Sequence, residues 1–367
     1  MSTSRSPKIP RAPTDVTGRK IRALVIDDSA LMRQLLAAIL SEDDGIEVVG
    51  TAPDPYIARE KIKRLQPDVL TLDVEMPGMD GLKFLENLMR LRPMPVVMVS
   101  SLTRHGATAT LRALELGAID VVAKPQGDPR SSVSTLAVEL RAKVRAAAQA
   151  HLTRGPRVAP SAHALPAVSG AAARCQHGVI AIGASTGGTQ AIAEILQRLP
   201  ATMPPIVIVQ HMPPRFTAYF AERLNGNCAL EVREACDGDL LKPGIALVAP
   251  GGQQTEIVGG SASSYKVRVY DGEPVNLHRP SVDVLFDSAA AVAHANAIGV
   301  ILTGMGGDGA RGLNAMRRQR ALTIAQDEAT SLVFGMPERA IREGGACEVL
   351  ALDRIAERLV AWVREPE

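Results

Sequence analysis

The sequence predicts an α/β protein built from two doubly wound parallel sheets. Two observations carry the prediction. Short apolar runs, Ala23-Leu24-Val25-Ile26, Val69-Leu70-Thr71-Leu72 and Val96-Val97-Met98-Val99, alternate with helical patterns in the first half, and runs buried on both faces belong to parallel sheets. The same alternation resumes at Val179 after a stretch rich in Ala and Pro.

Each element follows from its spacing. Met32, Leu35, Leu36 and Ile39 repeat at helical intervals between the first two strands, and Val121-Val122-Ala123 is a further apolar run. Residues 1–20 carry Arg5, Lys8, Arg11, Arg19 and Lys20 without an apolar core, so they are expected to be a tail and not a signal peptide. Residues 139–173 have no strand pattern and are read as a linker; their first part, to about Gln149, can continue the preceding helix. In the second half, Val179–Ile182, Ile206–Val209 and Ile298–Leu302 are the expected buried strands, and Gln190–Leu199 is a helix with Ile192, Ile195, Leu196 and Leu199 on one face. Glu256–Val258 and Lys266–Val269 alternate at period two around Gly259-Gly260 and predict a β-hairpin inserted into the second sheet.

Bulk properties narrow the class. With 367 residues there is room for two domains. A net charge of +2 argues against nucleic acid or a membrane surface as the main partner. The four cysteines show no CxxC and no metal spacing, which fits free thiols and an expected cytoplasmic location. No apolar run reaches the length of a membrane span.

Two groups of residues carry chemistry. In the first half, Asp27 and Asp28 close one strand, Asp73 closes another, and Lys124 follows Val121–Ala123. A parallel sheet brings these ends to one edge, where open α/β folds bind ligands. Three carboxylates there repel one another, and a hard divalent ion, Mg²⁺ above all, resolves the conflict. Lys124 supplies a point charge for a phosphoryl group, and Ser100 a hydroxyl. A single Asp after a strand is more often a turn residue or helix cap; four matched positions are not.

In the second half, Gly183-Ala184-Ser185-Thr186-Gly187-Gly188 places a serine in a glycine turn between strand and helix. Such a turn suits either a nucleophile or a phosphate cradle. The segment from Val179 to Pro200 lacks the lysine of a phosphate loop of the Walker type. A nucleophilic serine needs a base. Of the seven histidines, His211 follows the next strand directly and is the best placed, with His278 as its competitor in a loop before a helix. Asp308 lies in Thr303-Gly304-Met305-Gly306-Gly307-Asp308-Gly309 after Ile298–Leu302, where it can orient the imidazole or simply cap the next helix. The glycines admit backbone N–H groups to an oxyanion, with Thr186 and Met305 as the candidate donors.

Both halves resemble known families. Ile26-Asp27-Asp28-Ser29, Leu72-Asp73-Val74-Glu75-Met76-Pro77-Gly78-Met79-Asp80-Gly81 and Lys124-Pro125 resemble a two-component receiver domain over residues 21–138. The resemblance implies a flavodoxin-like fold and phosphorylation of Asp73 by a histidine kinase. It also implies Mg²⁺ held by Asp27, Asp28 and Asp73, and phosphoryl contacts from Ser100 and Lys124. The aromatic switch residue that many receivers carry three positions before the lysine is Val121 here.

Gly183–Gly188, Gln210-His211-Met212, His278–Asp283, Gly304–Gly309 and Phe334-Gly335-Met336-Pro337 are similar to the protein-glutamate methylesterases of bacterial chemotaxis over residues 174–366. The chain order Ser, His, Asp separates them from α/β-hydrolases, whose order is Ser, Asp, His. This resemblance implies a Rossmann-like hydrolase domain that demethylates glutamate methyl esters on chemoreceptor cytoplasmic domains and deamidates certain receptor glutamines, with no cofactor in that domain. A receiver tethered to a catalytic domain further suggests that the unphosphorylated receiver covers the Ser185 edge until Asp73 is phosphorylated. The alternative is a non-enzymatic signalling or receptor-binding module. A DNA-binding regulator is disfavoured, because the second half has neither a helix-turn-helix pattern nor a basic face.

Overall fold

The computed structural model describes residues 19–76, 81–101, 103–125, 129–150, 165–166, 177–259 and 265–365. Most of the expected tail and linker, the Pro77–Asp80 part of the receiver motif and Gly260 lie outside them.

The first half alternates β1 (Ile21–Ile26), α1 (Ala30–Ser41), β2 (Ile46–Ala52), α2 (Pro55–Leu65), β3 (Val69–Asp73), α3 (Gly81–Leu91), β4 (Val96–Ser100), α4 (Arg104–Glu115), β5 (Asp120–Ala123) and α5 (Pro129–Gln149). Its sheet order is β2-β1-β3-β4-β5, all parallel, the flavodoxin-like order. Helices cover both faces, which is why β3 and β4 are buried along their whole length. Helix α5 runs to Gln149 and occupies the expected linker as far as that residue.

The second half contains β6 (Val179–Ala184), α6 (Gly188–Arg198), β7 (Ile206–Gln210), α7 (Phe216–Asn225), β8 (Glu231–Glu234), β9 (Ile245–Val248), β10 (Gln254–Val258) and β11 (Lys266–Tyr270). There follow α8 (Val282–Ala293), β12 (Ala297–Ile301), α9 (Ala310–Arg318), β13 (Leu322–Gln326), α10 (Met336–Arg342), β14 (Glu348–Leu350) and α11 (Leu352–Arg364). Seven parallel strands run in the order β14-β13-β12-β6-β7-β9-β8. The expected hairpin forms, but β10 and β11 make a two-stranded sheet of their own outside the seven-stranded one, with β11 also bridged to Leu240 through Lys266. Burial explains this: Ile257 and Val267 turn one face of the pair into a core shared with α8, and a half-buried antiparallel ribbon does not need a place in the main sheet.

The order places the candidate residues. Strand β6 lies between β7 and β12, and register pairs Ala184 with Gln210 and Gly183 with Ile301. The loops after these three neighbouring strands carry Ser185, His211 and Asp308, so the chain delivers all three residues to one edge.

Candidate active site and receiver pocket

The serine turn is shaped by close approach. Gly187 has φ 79°, a left-handed conformation that favours glycine. A Cβ on Gly304 would lie 2.7 Å from the Ser185 Cβ, so the loop after β12 can cross directly over the serine only because residue 304 is glycine. The Ser185 N–H donates to Thr303 O (3.1 Å), and Gln210 Nε2 donates to Ser185 O (2.9 Å). Ser185 retains 8% exposure. Among the described residues its hydroxyl makes no hydrogen bond, and the backbone N–H groups of Thr186 and Met305 meet no protein acceptor. They are therefore available to a carbonyl oxygen placed over the serine.

His211 comes one residue beyond the Ala184–Gln210 register pair, and its N–H donates to Ala184 O (3.1 Å). Its Nε2 lies 2.8 Å from Asp308 Oδ2. A carboxylate can only accept, so Nε2 carries the proton and Nδ1 is the basic nitrogen. Nδ1 is buried without a partner.

Asp308 does not cap the helix that follows it. Gly309 is the N-cap of α9, without a side-chain bond. The Asp308 carboxylate instead reaches the start of α8, where it accepts from Val282 N (2.7 Å), Asp283 N (3.2 Å) and Ser281 Oγ (2.7 Å). Asn276 Nδ2 donates to it as well (2.7 Å). Burial alone would raise its pKa, but the hydrogen bonds from His211, Asn276 and Ser281 hold it well below the usual carboxylate range. Sequence reasoning assigns no role to Asn276 or Ser281, although Ser281 lies within the His278–Asp283 motif. That histidine is not bonded to Asp308. Its ring stacks on His211, with centroids 3.6 Å apart.

The receiver pocket assembles as expected in part. Oxygens of Asp27, Asp28 and Asp73 lie within 4.8 Å of one another. Lys124 Nζ is 2.8 Å from Asp73 and 3.1 Å from Asp27. Burial raises Asp73 to about 6 against the pull of Lys124, with the Asp27 charge adding to the rise. Burial works to lower Lys124, but its bonds to Asp73 and Asp27 raise it on balance. Asp27 also serves as a turn residue, its Oδ1 accepting from Ser29 N (2.9 Å). Ser100 is not brought onto Asp73: its hydroxyl reaches the carbonyls of Gly106 (3.2 Å) and Ser101 (3.3 Å), because α4 begins close beside it.

A contact missed in the sequence joins the halves. Thr186 Oγ1 donates to Asp120 Oδ2 (2.6 Å) in a buried bond. Asp120 Oδ1 takes Val121 N (2.8 Å) and pairs with Lys143 (3.0 Å). Nearby, Gln190 bonds Leu114 O, Arg223 pairs with Glu115, and Leu332 packs against the receiver core.

Fold and site together define a receiver joined to a Ser-His-Asp α/β domain. Comparison with known proteins agrees. A response regulator receiver domain model matches residues 23–133, and a CheB methylesterase model matches residues 180–359. The protein-glutamate methylesterase/protein-glutamine glutaminase of Bordetella parapertussis is 56% identical over 342 residues, 93% of this chain and 97% of that one. Its namesake in Salmonella typhi is 54% identical over 346 residues, 94% and 97% of the two chains. Among solved structures, the catalytic domain of Thermotoga maritima CheB methylesterase is 39% identical with a TM-score of 0.49, covering 50% of this chain and 98% of that one. The chain belongs to the protein-glutamate methylesterase/protein-glutamine glutaminase family. No described helix is long and apolar enough to cross a membrane.

Proposed function

We propose that Ser185, His211 and Asp308 are the nucleophile, base and orienting carboxylate of this methylesterase and glutaminase, acting on chemoreceptor cytoplasmic domains. The observation that carries the reading is the 2.8 Å bond from His211 Nε2 to a saturated Asp308, with His211 and Ser185 each one residue beyond the Ala184–Gln210 register pair. Ser185 Oγ attacks the side-chain carbonyl of a glutamate methyl ester or a glutamine, and its proton passes to His211 Nδ1. Asp308 stabilises the imidazolium. The tetrahedral oxyanion takes the N–H groups of Thr186 and Met305, each worth about 3 kcal/mol in sites of this kind. Collapse expels methanol or ammonia, protonated by His211. Water then attacks the acyl-serine with His211 again as base, leaving glutamate and free Ser185.

Asp73 is the proposed phosphoacceptor for a histidine kinase. Mg²⁺ fits the pocket, since Asp27, Asp28 and Asp73 offer clustered hard oxygens; when bound, the ion offsets their mutual repulsion and the charge of the phosphoryl group. Lys124 holds the phosphoryl oxygens, and Ser100 must turn from Gly106 to join it. We take the receiver to extend from residue 21 to the end of α5 and the catalytic domain to begin near 174. The Thr186–Asp120 bond supports gating through access: it ties the receiver to the residue after the nucleophile.

Ser185→Ala tests the reading. Methanol release from methylated receptor membranes should fall by roughly 10⁶-fold, as when triad nucleophiles are removed, while phosphorylation of Asp73 continues. Retained hydrolysis would require another nucleophile.

A further inference from the structure

Val275 and His278 exchange both backbone hydrogen bonds, N to O at 3.1 and 2.9 Å. Asn276 and Leu277 are therefore the central residues of a tight hairpin turn. Both have positive φ, 53° and 69°, the pattern of a type I′ turn. Asn tolerates that conformation; Leu does not favour it. The side chain of Leu277 is 82% exposed and gains no packing in return.

The gain lies on either side of Leu277. Asn276 Nδ2 bonds Asp308 Oδ1 (2.7 Å) and Asp283 Oδ2 (2.8 Å). The His278 ring lies nearly parallel to that of His211, 12° between planes and 3.6 Å between centroids. The turn thus grips the carboxylate with one residue and the imidazole with another. Asp308 already occupies Nε2 of His211, so the ring could still rock about that bond; a flat partner on its face stops the rocking. Among the described residues, the ring nitrogens of His278 make no hydrogen bond.

We infer that His278 is a positioning residue for the base: its ring, stacked on His211, fixes the imidazole plane so that Nε2 stays on Asp308 and Nδ1 stays directed for the Ser185 proton. The inference rests on the Ser185–His211–Asp308 reading above. Burial, with the neighbouring His211 charge second, lowers His278 to about 3, so the ring remains uncharged at neutral pH. An uncharged ring face attracts the imidazolium that forms during the reaction, whereas a charged one would repel it. The groups facing this pair are Asp308 from the loop after β12 and Lys143 from α5.

The test uses the full-length chain with a phosphodonor, following methanol release from methylated receptor membranes across a pH series. His278→Ala should lower kcat by about 10–100-fold, the cost of misplacing a reacting group, with KM changed less than about twofold and the acid limb of the pH profile displaced. His278→Phe restores the stack without the nitrogens and should recover most of kcat and the original profile. Wild-type kcat and profile in His278→Ala would overturn the inference. So would a His278→Phe enzyme that folds, by its normal Asp73 phosphorylation and circular dichroism, yet is as slow as His278→Ala, since a ring nitrogen would then be at work. Ser185→Ala is run in parallel: residual activity there defeats the underlying triad, whereas an inactive Ser185→Ala beside a normal His278→Ala defeats the positioning role alone.

Discussion

The receiver pocket and the hydrolase site occupy the same place in two related sheets, the edge beyond the carboxyl ends of parallel strands, yet they are finished to different degrees. In the receiver, Asp27, Asp28 and Asp73 crowd around Lys124, Asp73 is raised to about 6, and Ser100 is turned toward Gly106. On the proposed function, a metal ion and a phosphoryl group on Asp73 complete that pocket. In the hydrolase, Asp308 already accepts from His211, Asn276, Ser281, Val282 and Asp283, and its pKa is driven down. The carboxylate there is saturated without phosphorylation, while His211 Nδ1 still lacks a partner. On the proposed function control acts on access to Ser185, and one contact placed to carry it is Thr186 on Asp120.

Thr186→Val is the sharpest way to break that comparison. It keeps the shape and the backbone N–H of residue 186 but removes the hydroxyl that bonds Asp120. A hydrogen bond to a charged group is worth about 1.5–3 kcal/mol, so the equilibrium between covered and open states should shift by roughly 10–100-fold. Methanol release by the unphosphorylated variant should rise toward the phosphorylated level, and the stimulation ratio with and without phosphodonor should shrink accordingly. An unchanged ratio would mean that the receiver restrains the site through some other contact, such as Arg223 with Glu115.

Legibility in the sequence divides along similar lines. Strands β6, β7 and β12 could be read directly because burial on both faces leaves an unbroken apolar run, and each ends in the residue group that carries chemistry. The polar pattern of β8, Glu231–Glu234, hides an edge strand that has one neighbour. The donors to Asp308 were illegible for a different reason. Asn276 and Ser281 reach it from another loop, and nothing in local spacing reports a contact made by the packing of α8 against β6. Asp120 and Lys143 are hidden further still: an Asp opening a strand and a Lys in a helix look like solvated residues until α5 and Thr186 bury them. The sheet edge was therefore predictable, and the groups that orient and restrain it were not.

Acid pH separates the two sites next. His278 is lowered from 6.5 to about 3 in the fold, so between those values the unfolded chain binds a proton that the folded one refuses. Stability from this group is present above pH 6.5 and is lost as pH falls toward 3. By pH 5 the loss should approach about 2 kcal/mol, at 1.36 kcal/mol per pH unit. His278→Phe removes the proton site and keeps the stack, so its Tm should decline less between pH 7 and pH 5 than that of the wild type. Parallel declines would show that the ring is solvated well enough to take its proton in the folded state.

The smallest effect concerns how rigidly the finished site is held. Leu277 sits at φ 69° with its side chain in solvent, so the turn holds it in a conformation that costs a residue with a Cβ about 1–2 kcal/mol. Glycine adopts that conformation freely but loses more backbone freedom on folding, which offsets about 0.5–1 kcal/mol of the relief. Leu277→Gly should therefore stabilise the chain by about 0.5–1 kcal/mol, seen as a Tm raised by roughly 2 °C for a domain of this size. Because Asn276 and His278 keep their contacts, kcat should not change. A stabilised variant that lost activity would show that the exposed leucine touches the receptor substrate, and that the strain at the turn is tolerated for substrate binding as well as for holding the base.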